Sequence, residues 1–284
     1  MKLTVLVDNN TLTDRYFYAE PGVSYLIEDA GVRVLFDVGY SDVFLSNATR
    51  MGLGLRDLDY IVLSHGHLDH TWGLTALLRL YLESTIEGIP FKRPVLVAHP
   101  EALTTRYLGG LPEIGSPFSA DKLARHFDLH LSEGPVRLTE RLLFLGGIDR
   151  RNSFEGRNPI GQLAPAGEED EDYVVDDHVP DDTGLAYTSP DGLVLVVGCA
   201  HAGICNIVDQ AKRLTGEDRV VDIIGGLHLQ GGNCEQMGGT LEYIGGLGLR
   251  ALHACHCTSL DAKVALAGAA RLEEVGVGLV LEYE

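Results

Sequence analysis

Between Ile61 and Gly73 the chain reads Ile-Val-Leu-Ser-His-Gly-His-Leu-Asp-His-Thr-Trp-Gly, so three histidines and an aspartate crowd together directly after an apolar run with the character of a buried strand. His65 and His67 are spaced by two and can leave an extended or tightly turning backbone in the same direction, while Asp69 and His70 follow where a helix would begin. Imidazole nitrogen and carboxylate oxygen are borderline ligands that suit zinc, iron(II), manganese or cobalt, and the absence of cysteine from the run argues against a closed thiolate structural site. The pattern points to an open metal site. Capping of the following helix by Asp69 needs only one acceptor and leaves the three imidazoles unexplained.

Three later segments repeat one arrangement. The runs Leu193 to Val197, Val221 to Gly225 and Leu249 to Ala254 read as buried strands, and each delivers a histidine at or near its carboxyl end. These are His201 in Gly198-Cys199-Ala200-His201, His228 in Gly226-Leu227-His228-Leu229, and His256 in Cys255-His256-Cys257-Thr258. Any one of them could be a core or capping residue, but three at equivalent strand ends, together with the first cluster, imply a shared site. His99, which closes the run Pro94 to Ala98 and precedes Pro100, is read as structural.

The elements that must position these residues alternate in type. Residues 2 to 7 form an opening strand that ends in Asp8-Asn9-Asn10-Thr11, a polar loop at the rim of the site, where Asn9 is a candidate substrate contact. Ser24 to Glu28 and Val32 to Phe36 make a hairpin, residues 41 to 51 a helix, and the strand bearing the histidines then leads into a helix over Thr71 to Glu83. A strand over 94 to 98, a helix from Glu101 and strands around 127–131, 136–138 and 142–146 complete the first half. Ligand sites in α/β folds favour carboxyl ends of strands, which is where the histidines fall. The second half is expected to place helices over residues 203 to 214 and Asp261 to Val275, with Val277 to Tyr283 closing the sheet.

A single domain over residues 1–284 is expected, interrupted by an exposed insertion near 149–182. There Arg150, Arg151 and Arg157 precede the acidic run Glu168 to Asp172 and the stretch Asp176 to Asp182. The arginines would suit a phosphate pocket. A formal net charge of −19 excludes general affinity for nucleic acid or anionic membrane, although a local cationic pocket can still take an anionic small molecule. With 45% hydrophobic residues, no long uncharged apolar run and an early Asp8, the expectation is a soluble cytoplasmic protein, and a homo-oligomer is compatible with it. The five cysteines, Cys199, Cys205, Cys234, Cys255 and Cys257, are an odd number confined to the last third and are read as reduced thiols.

The pattern His-x-His-x-Asp-His after an apolar strand resembles the metallo-β-lactamase superfamily. More narrowly, Asp8-Asn9-Asn10, Leu35-Phe36-Asp37-Val38-Gly39, Ser64 to His70, Gly198-Cys199-Ala200-His201-Ala202-Gly203, Gly225-Gly226-Leu227-His228-Leu229 and His256-Cys257-Thr258 are similar to one branch of it. That branch contains the archaeal 7,8-dihydropterin-6-methyl-4-(β-D-ribofuranosyl)aminobenzene-5′-phosphate synthase. The resemblance implies a four-layer αββα sandwich, of α/β class, holding two divalent metal ions, with zinc the first choice and manganese, iron or magnesium as alternatives. It implies that His65 and His67 bind a first metal and that Asp69 and His70 bind a second. His201 is then the choice for the first metal and His256 for the second, with His228 the rival for either place and otherwise, like Cys199, a substrate contact. Many members carry a metal-bridging aspartate in a Gly-Asp pair where this chain has Gly198-Cys199, so Asp181 and Asp182 are candidates for a missing carboxylate.

The function expected is that of a metal-dependent hydrolase or transferase, with Asp69 in the catalytic centre, acting on a small phosphorylated or pyrophosphorylated metabolite. Condensation of a dihydropterin with an arylamine, releasing pyrophosphate, is the first form. Hydrolysis of a phosphoester, lactone or thioester by metal-activated water is the second. A non-catalytic metal or redox sensor using Cys199, Cys205, Cys255 and Cys257 is the third.

Overall fold

Strands whose successive residues are all apolar must bury both faces, and here they do so between unlike layers. The computed structural model describes residues 1–166, 173–230 and 233–284, so the acidic run Glu168 to Asp172 lies outside the described residues. The first half contains β1 (Lys2–Val7), β2 (Ser24–Asp29), β3 (Val32–Phe36), α1 (Val43–Arg50), β4 (Tyr60–Val62), α2 (Leu68–Thr71), α3 (Leu74–Glu87), β5 (Val95–Ala98), β6 (Arg106–Tyr107), α4 (Ala120–Leu123) and β7 (Asp128–Leu131). It continues through β8 (Val136–Arg137), β9 (Leu142–Phe144), β10 (Gln162–Leu163), β11 (Val175–Asp176), β12 (Gly184–Ser189) and β13 (Gly192–Val197). The chain ends with α5 (Ile204–Thr215), β14 (Val220–Gly226), α6 (Cys234–Leu247), β15 (Ala251–Cys255), α7 (Leu260–Leu266) and β16 (Val280–Glu282).

Among the described residues these strands form a seven-stranded sheet, β16-β1-β2-β3-β4-β5-β7, a six-stranded sheet, β15-β14-β13-β12-β9-β8, and a small sheet, β11-β10-β6. Alternation along each strand sets the layers. Val194 and Val196 of β13 join Tyr25, Phe36, Val62 and Phe144 in a core between the two large sheets. Leu193, Leu195 and Val197 turn the other way, into a core with Ile204, Ile207 and Val208 of α5 and Leu266 of α7. On the opposite side Leu35, Ile61 and Leu63 pack with Phe44 of α1 and Leu77 of α3. The result is the expected αββα sandwich.

Four expectations need correction. The helix from Glu101 is only a 3-10 turn over Pro100–Leu103, after which the chain extends into β6 and carries Arg106 into the interior. The helix expected over Asp261 to Val275 stops at Leu266, because the next segment returns to bond with Leu252 of β15 through Arg271 and Glu273. The segment Val277 to Tyr283 closes the first sheet, with β16 antiparallel to β1. The stretch 149–182 is exposed along much of its described length but not throughout: Glu155, Leu163, Asp177, Val179, Asp181 and Asp182 are buried, and β10 pairs with β6 and β11. Helix α6 was not foreseen, since its four glycines depress helix propensity and blur the apolar stripe.

Phe36 is fully buried and stacks on Tyr25 with ring centroids 6.2 Å apart in the inter-sheet core. Phe36→Ala is therefore expected to lower unfolding free energy by roughly 3–5 kcal/mol, measured by urea titration. A loss below about 1 kcal/mol would show that the two sheets are not held together there.

Candidate metal centre

Four strand ends throw the chain into a left-handed turn at a residue that is not glycine: Asp37 (φ 55°) after β3, Ala200 (48°) after β13, His228 (48°) after β14 and His256 (49°) after β15. Each such residue costs on the order of 1–2 kcal/mol, and such strain persists where surrounding contacts over-determine it. Here Asp37 is held by Ser64 and His70, His228 by Cys257, and His256 by Asp8 and Asn9. Gly198 lets the two halves meet, because a Cβ on it would lie 2.1 Å from Ser64 Oγ.

Proton accounting then fixes which imidazole nitrogens face inward. Ser64 donates its backbone N–H to Asp37 Oδ1 and its hydroxyl to Asp37 Oδ2, each at 2.7 Å. With its only hydroxyl proton used, Ser64 Oγ can only accept from His65 Nδ1 at 2.9 Å, which leaves the lone pair on His65 Nε2. His70 Nδ1 lies 2.7 Å from Asp37 Oδ2, so when the ring is neutral its lone pair is also on Nε2. His256 Nδ1 donates to Asn9 Oδ1 at 2.9 Å, and Asn9 Nδ2 donates to the His256 carbonyl at 3.3 Å, which again turns Nε2 inward. Asn9, expected as a substrate contact, lines the cleft but commits its amide to orienting this ring.

Two ligand sets result. His65 Nε2 sits 3.0 Å from His67 Nδ1 and 3.2 Å from His201 Nε2, and a bare Nε2 cannot donate to either. The second set joins Asp69, His70 and His256, with Asp69 Oδ1 3.8 Å from His70 Nε2 and Asp69 Oδ2 3.3 Å from His256 Nε2. In each set the ligand atoms lie within 4.8 Å of one another. His256 Nε2, though buried, makes no hydrogen bond. Converging lone pairs and an unsatisfied buried nitrogen fit a cation in each set. The sets differ electrostatically. Burial, then neighbouring imidazoles, holds His65 and His201 well below the usual histidine range. Burial, then Arg106, brings His67 down to about 3. For His70 burial pulls the same way but is outweighed by Asp69 and Asp37, which raise it to about 9. Burial would raise Asp69, yet His70 and His256 together hold it well below the carboxylate range.

A buried charge network underlies the His-x-His turn. Fully buried Arg106 reaches Asp181 Oδ1 at 2.5 Å and Asp177 Oδ2 at 3.4 Å. Asp181 Oδ2 accepts the Gly66 N–H at 2.7 Å, and Asp177 Oδ2 lies 4.0 Å from His67 Nε2. Asp182 accepts the Ala202 N–H at 2.7 Å, and burial raises its carboxyl to about 7. Neither Asp181 nor Asp182 supplies the missing bridging carboxylate; they brace the loops that carry His67 and His201. No spacing in the sequence marks Arg106. The aspartate of Leu35-Phe36-Asp37-Val38-Gly39 was visible only as part of a resemblance, without a role.

Above the two sets lies a two-lobed cleft. One lobe, about 970 Å³, is lined by Tyr40, Leu68, Leu108, Leu111 and Ile114 together with Asp69, Cys199 and His256. The other, about 550 Å³, is lined by Arg157, Asn158, Asn233 and Gln236. His201, His228, Ile160 and Gln230 border both. His65, His67, Asp69, His70, His201 and His256 make up the two sets, and Asn9, Cys199 and His228 line the cleft above them. His228 lies tilted against His201 with ring centroids 4.2 Å apart, donates its backbone N–H to Cys257 Sγ, and leaves Nδ1 unpaired. His99 lies elsewhere, with Nδ1 accepting the Glu101 N–H. Of the three arginines only Arg157 borders the cleft, since Arg150 is tied to the carbonyls of His178 and Val179 and Arg151 to Asp149.

Comparison with known proteins places this arrangement in context. Residues 18–256 match the family model of the metallo-beta-lactamase superfamily. The 7,8-dihydropterin-6-methyl-4-(beta-D-ribofuranosyl)-aminobenzene-5′-phosphate synthase of Methanocaldococcus jannaschii is 29% identical over 277 residues, 93% of this chain and 89% of the relative. The crystal structure of Tm1679, a metal-dependent hydrolase of the beta-lactamase superfamily, superposes with a TM-score of 0.81 at 27% identity, covering 100% of this chain and 99% of that one. A diphosphatase of the PhnP family shares the fold, with a TM-score of 0.53 at 16% identity over 100% and 98% of the two chains.

His65→Ala and Asp69→Ala are each expected to lose metal, whereas His99→Ala keeps it, as measured by atomic absorption on purified variants. Wild-type metal content in the Asp69 variant would remove the second ligand set. Arg106→Ala leaves two buried aspartates unpaired and should cost roughly 3–5 kcal/mol in urea unfolding, a cost that a merely peripheral arginine would not show.

Proposed function

The chain belongs to the metallo-β-lactamase superfamily, and from that premise we propose that it is a metal-dependent enzyme that transfers a group between two small molecules, one of them pyrophosphorylated. The observation that carries this reading is the pair of lobes sharing one wall at His201 and His228, which can present two reactants to one centre. The larger lobe suits a flat heterocycle, since Tyr40, itself stacked on Trp72 at 5.4 Å, lines it together with Leu68, Leu108, Leu111, Ile114 and Ile160. The smaller offers Arg157, Asn158, Asn233 and Gln236 to an anionic group.

His65, His67 and His201 would hold one divalent ion and Asp69, His70 and His256 the other. The superfamily generally binds divalent metals, and here they would supply Lewis acidity to a departing pyrophosphate, with zinc the first candidate. Asp69, oriented by its two histidines, would belong to the reacting centre through its metal. By analogy with the named synthase, the reactants would be a hydroxymethyl-dihydropterin pyrophosphate and an arylamine bearing a phosphate. The arylamine nitrogen would form a bond to the methylene carbon as the carbon–oxygen bond breaks, and pyrophosphate would leave with the electron pair. His228 Nδ1, unpaired at the junction of the lobes, is placed to take the proton released by the amine. The two lobes would thus hold the reactants with nitrogen and carbon facing one another.

Similarity to a metal-dependent hydrolase favours a second reading, in which water replaces the amine. Metal-loaded protein given the dihydropterin pyrophosphate with and without the arylamine separates the two. Pyrophosphate release that requires the amine is the expected result. Release without it supports hydrolysis, and no release in either case overturns the substrate class.

A further inference from the structure

Beneath the His-x-His turn three buried polar atoms make no hydrogen bond among the described residues: His67 Nε2, Asp177 Oδ2 and Arg106 Nη1. Two of them flank the third. Asp177 Oδ2 lies 4.0 Å from His67 Nε2 and 3.4 Å from Arg106 Nη1. The carboxylate is held in that direction from its other side, since Oδ1 accepts the Val179 N–H at 2.7 Å. Its backbone is fixed as well, donating to the Gly161 carbonyl at 3.0 Å and accepting the Ile160 N–H at 2.7 Å. The stretch that supplies Ile160 to the wall of both lobes therefore also carries Asp177 to the outer nitrogen of His67.

A neutral His67 has one ring proton and two places for it. On Nδ1 the proton points at His65 Nε2, 3.0 Å away, and closes the ligand set. On Nε2 it leaves the Nδ1 lone pair free for an ion and faces Asp177, which accepts it after an approach of about 1 Å. Charge favours the second arrangement. Arg106 brings one positive charge against Asp177 and Asp181, so the network holds one carboxylate in excess. It does so beside a ligand set of three imidazoles that has no carboxylate of its own, whereas the other set contains Asp69.

We propose that Asp177 is a positioning residue for His67: it accepts the Nε2 proton, turns Nδ1 toward the ion, and supplies the negative charge that the three-imidazole set lacks. The proposal rests on the two-ion reading of the site and adds to it a residue outside both ligand sets, drawn from the stretch that the sequence presents as a solvated insertion.

The test uses the full chain, isotopically labelled on nitrogen and loaded with zinc, with the histidine ring N–H signals followed by NMR during exchange into heavy water. In wild type the His67 Nε2 proton should be protected and shifted downfield, as for a proton shared with a carboxylate. Asp177→Asn keeps the volume, but with its oxygen held by the Val179 N–H it turns the amide nitrogen toward His67. The protected signal should then disappear, and one zinc ion should bind roughly tenfold or more weakly while the other is unaffected. Asp181→Asn, which neutralises the other partner of Arg106, should keep the signal, so the loss of a buried charge alone cannot imitate the result. Three outcomes overturn the proposal: wild type lacks the protected proton, the signal survives in Asp177→Asn, or the two variants lose it alike. The wild-type spectrum decides even where a variant fails to fold. Wild type binding no zinc would overturn the two-ion reading and this proposal with it, a failure distinct from the other three.

Discussion

The site depends on one carboxylate that never faces the cleft. Asp37 is fully buried and takes three hydrogen bonds, two from Ser64 and one from His70. Because Ser64 has a single hydroxyl proton, the same carboxylate also decides the tautomer of His65, one residue along. One group thereby turns a lone pair inward on a member of each ligand set. An uncompensated carboxylate at this depth would cost several kcal/mol, so the three donors are obligatory for the fold as well as for the site.

Burial then separates the behaviour of the two sets. The first is three imidazoles kept neutral by desolvation, a condition in which each ring keeps one nitrogen lone pair for a cation. In the second, Asp69 and His70 support each other, the carboxylate raising the imidazole while His70 and His256 lower the carboxyl. The Arg106, Asp177 and Asp181 network applies the same logic one layer deeper, bracing the backbone at Gly66 from a segment more than a hundred residues away.

Legibility in the sequence followed locality. The buried strands were readable because residues such as Leu193 to Val197 are apolar throughout, whereas the four layers followed only from the resemblance, and the ligands stood out because His65 to His70 occupy one short stretch. Histidines at successive strand ends could be grouped since equivalent strand ends share an edge. Where the reading failed, the deciding interaction was distant or masked. Helix α6 was hidden by Gly238, Gly239, Gly245 and Gly246, and the turn after His99 was hidden because Arg106 is drawn inward by aspartates near residue 180. The stretch 149–182 looked like a solvated insertion because its charges suggest exposure, but Asp177, Asp181 and Asp182 have partners that no local pattern reveals. Asn9 was placed correctly at the rim, yet its hydrogen bonds serve His256.

The central claim, that two ions are held by two ligand sets meeting at one cleft, is tested most directly by a crystal structure of the metal-loaded protein with anomalous data collected at the metal edge. The account predicts two anomalous peaks. One should lie about 2.0–2.2 Å from His65 Nε2, His67 Nδ1 and His201 Nε2, and the other at similar distances from Asp69, His70 Nε2 and His256 Nε2. A single peak, or a second one coordinated by His228 and Cys257 with His256 left free, would contradict it.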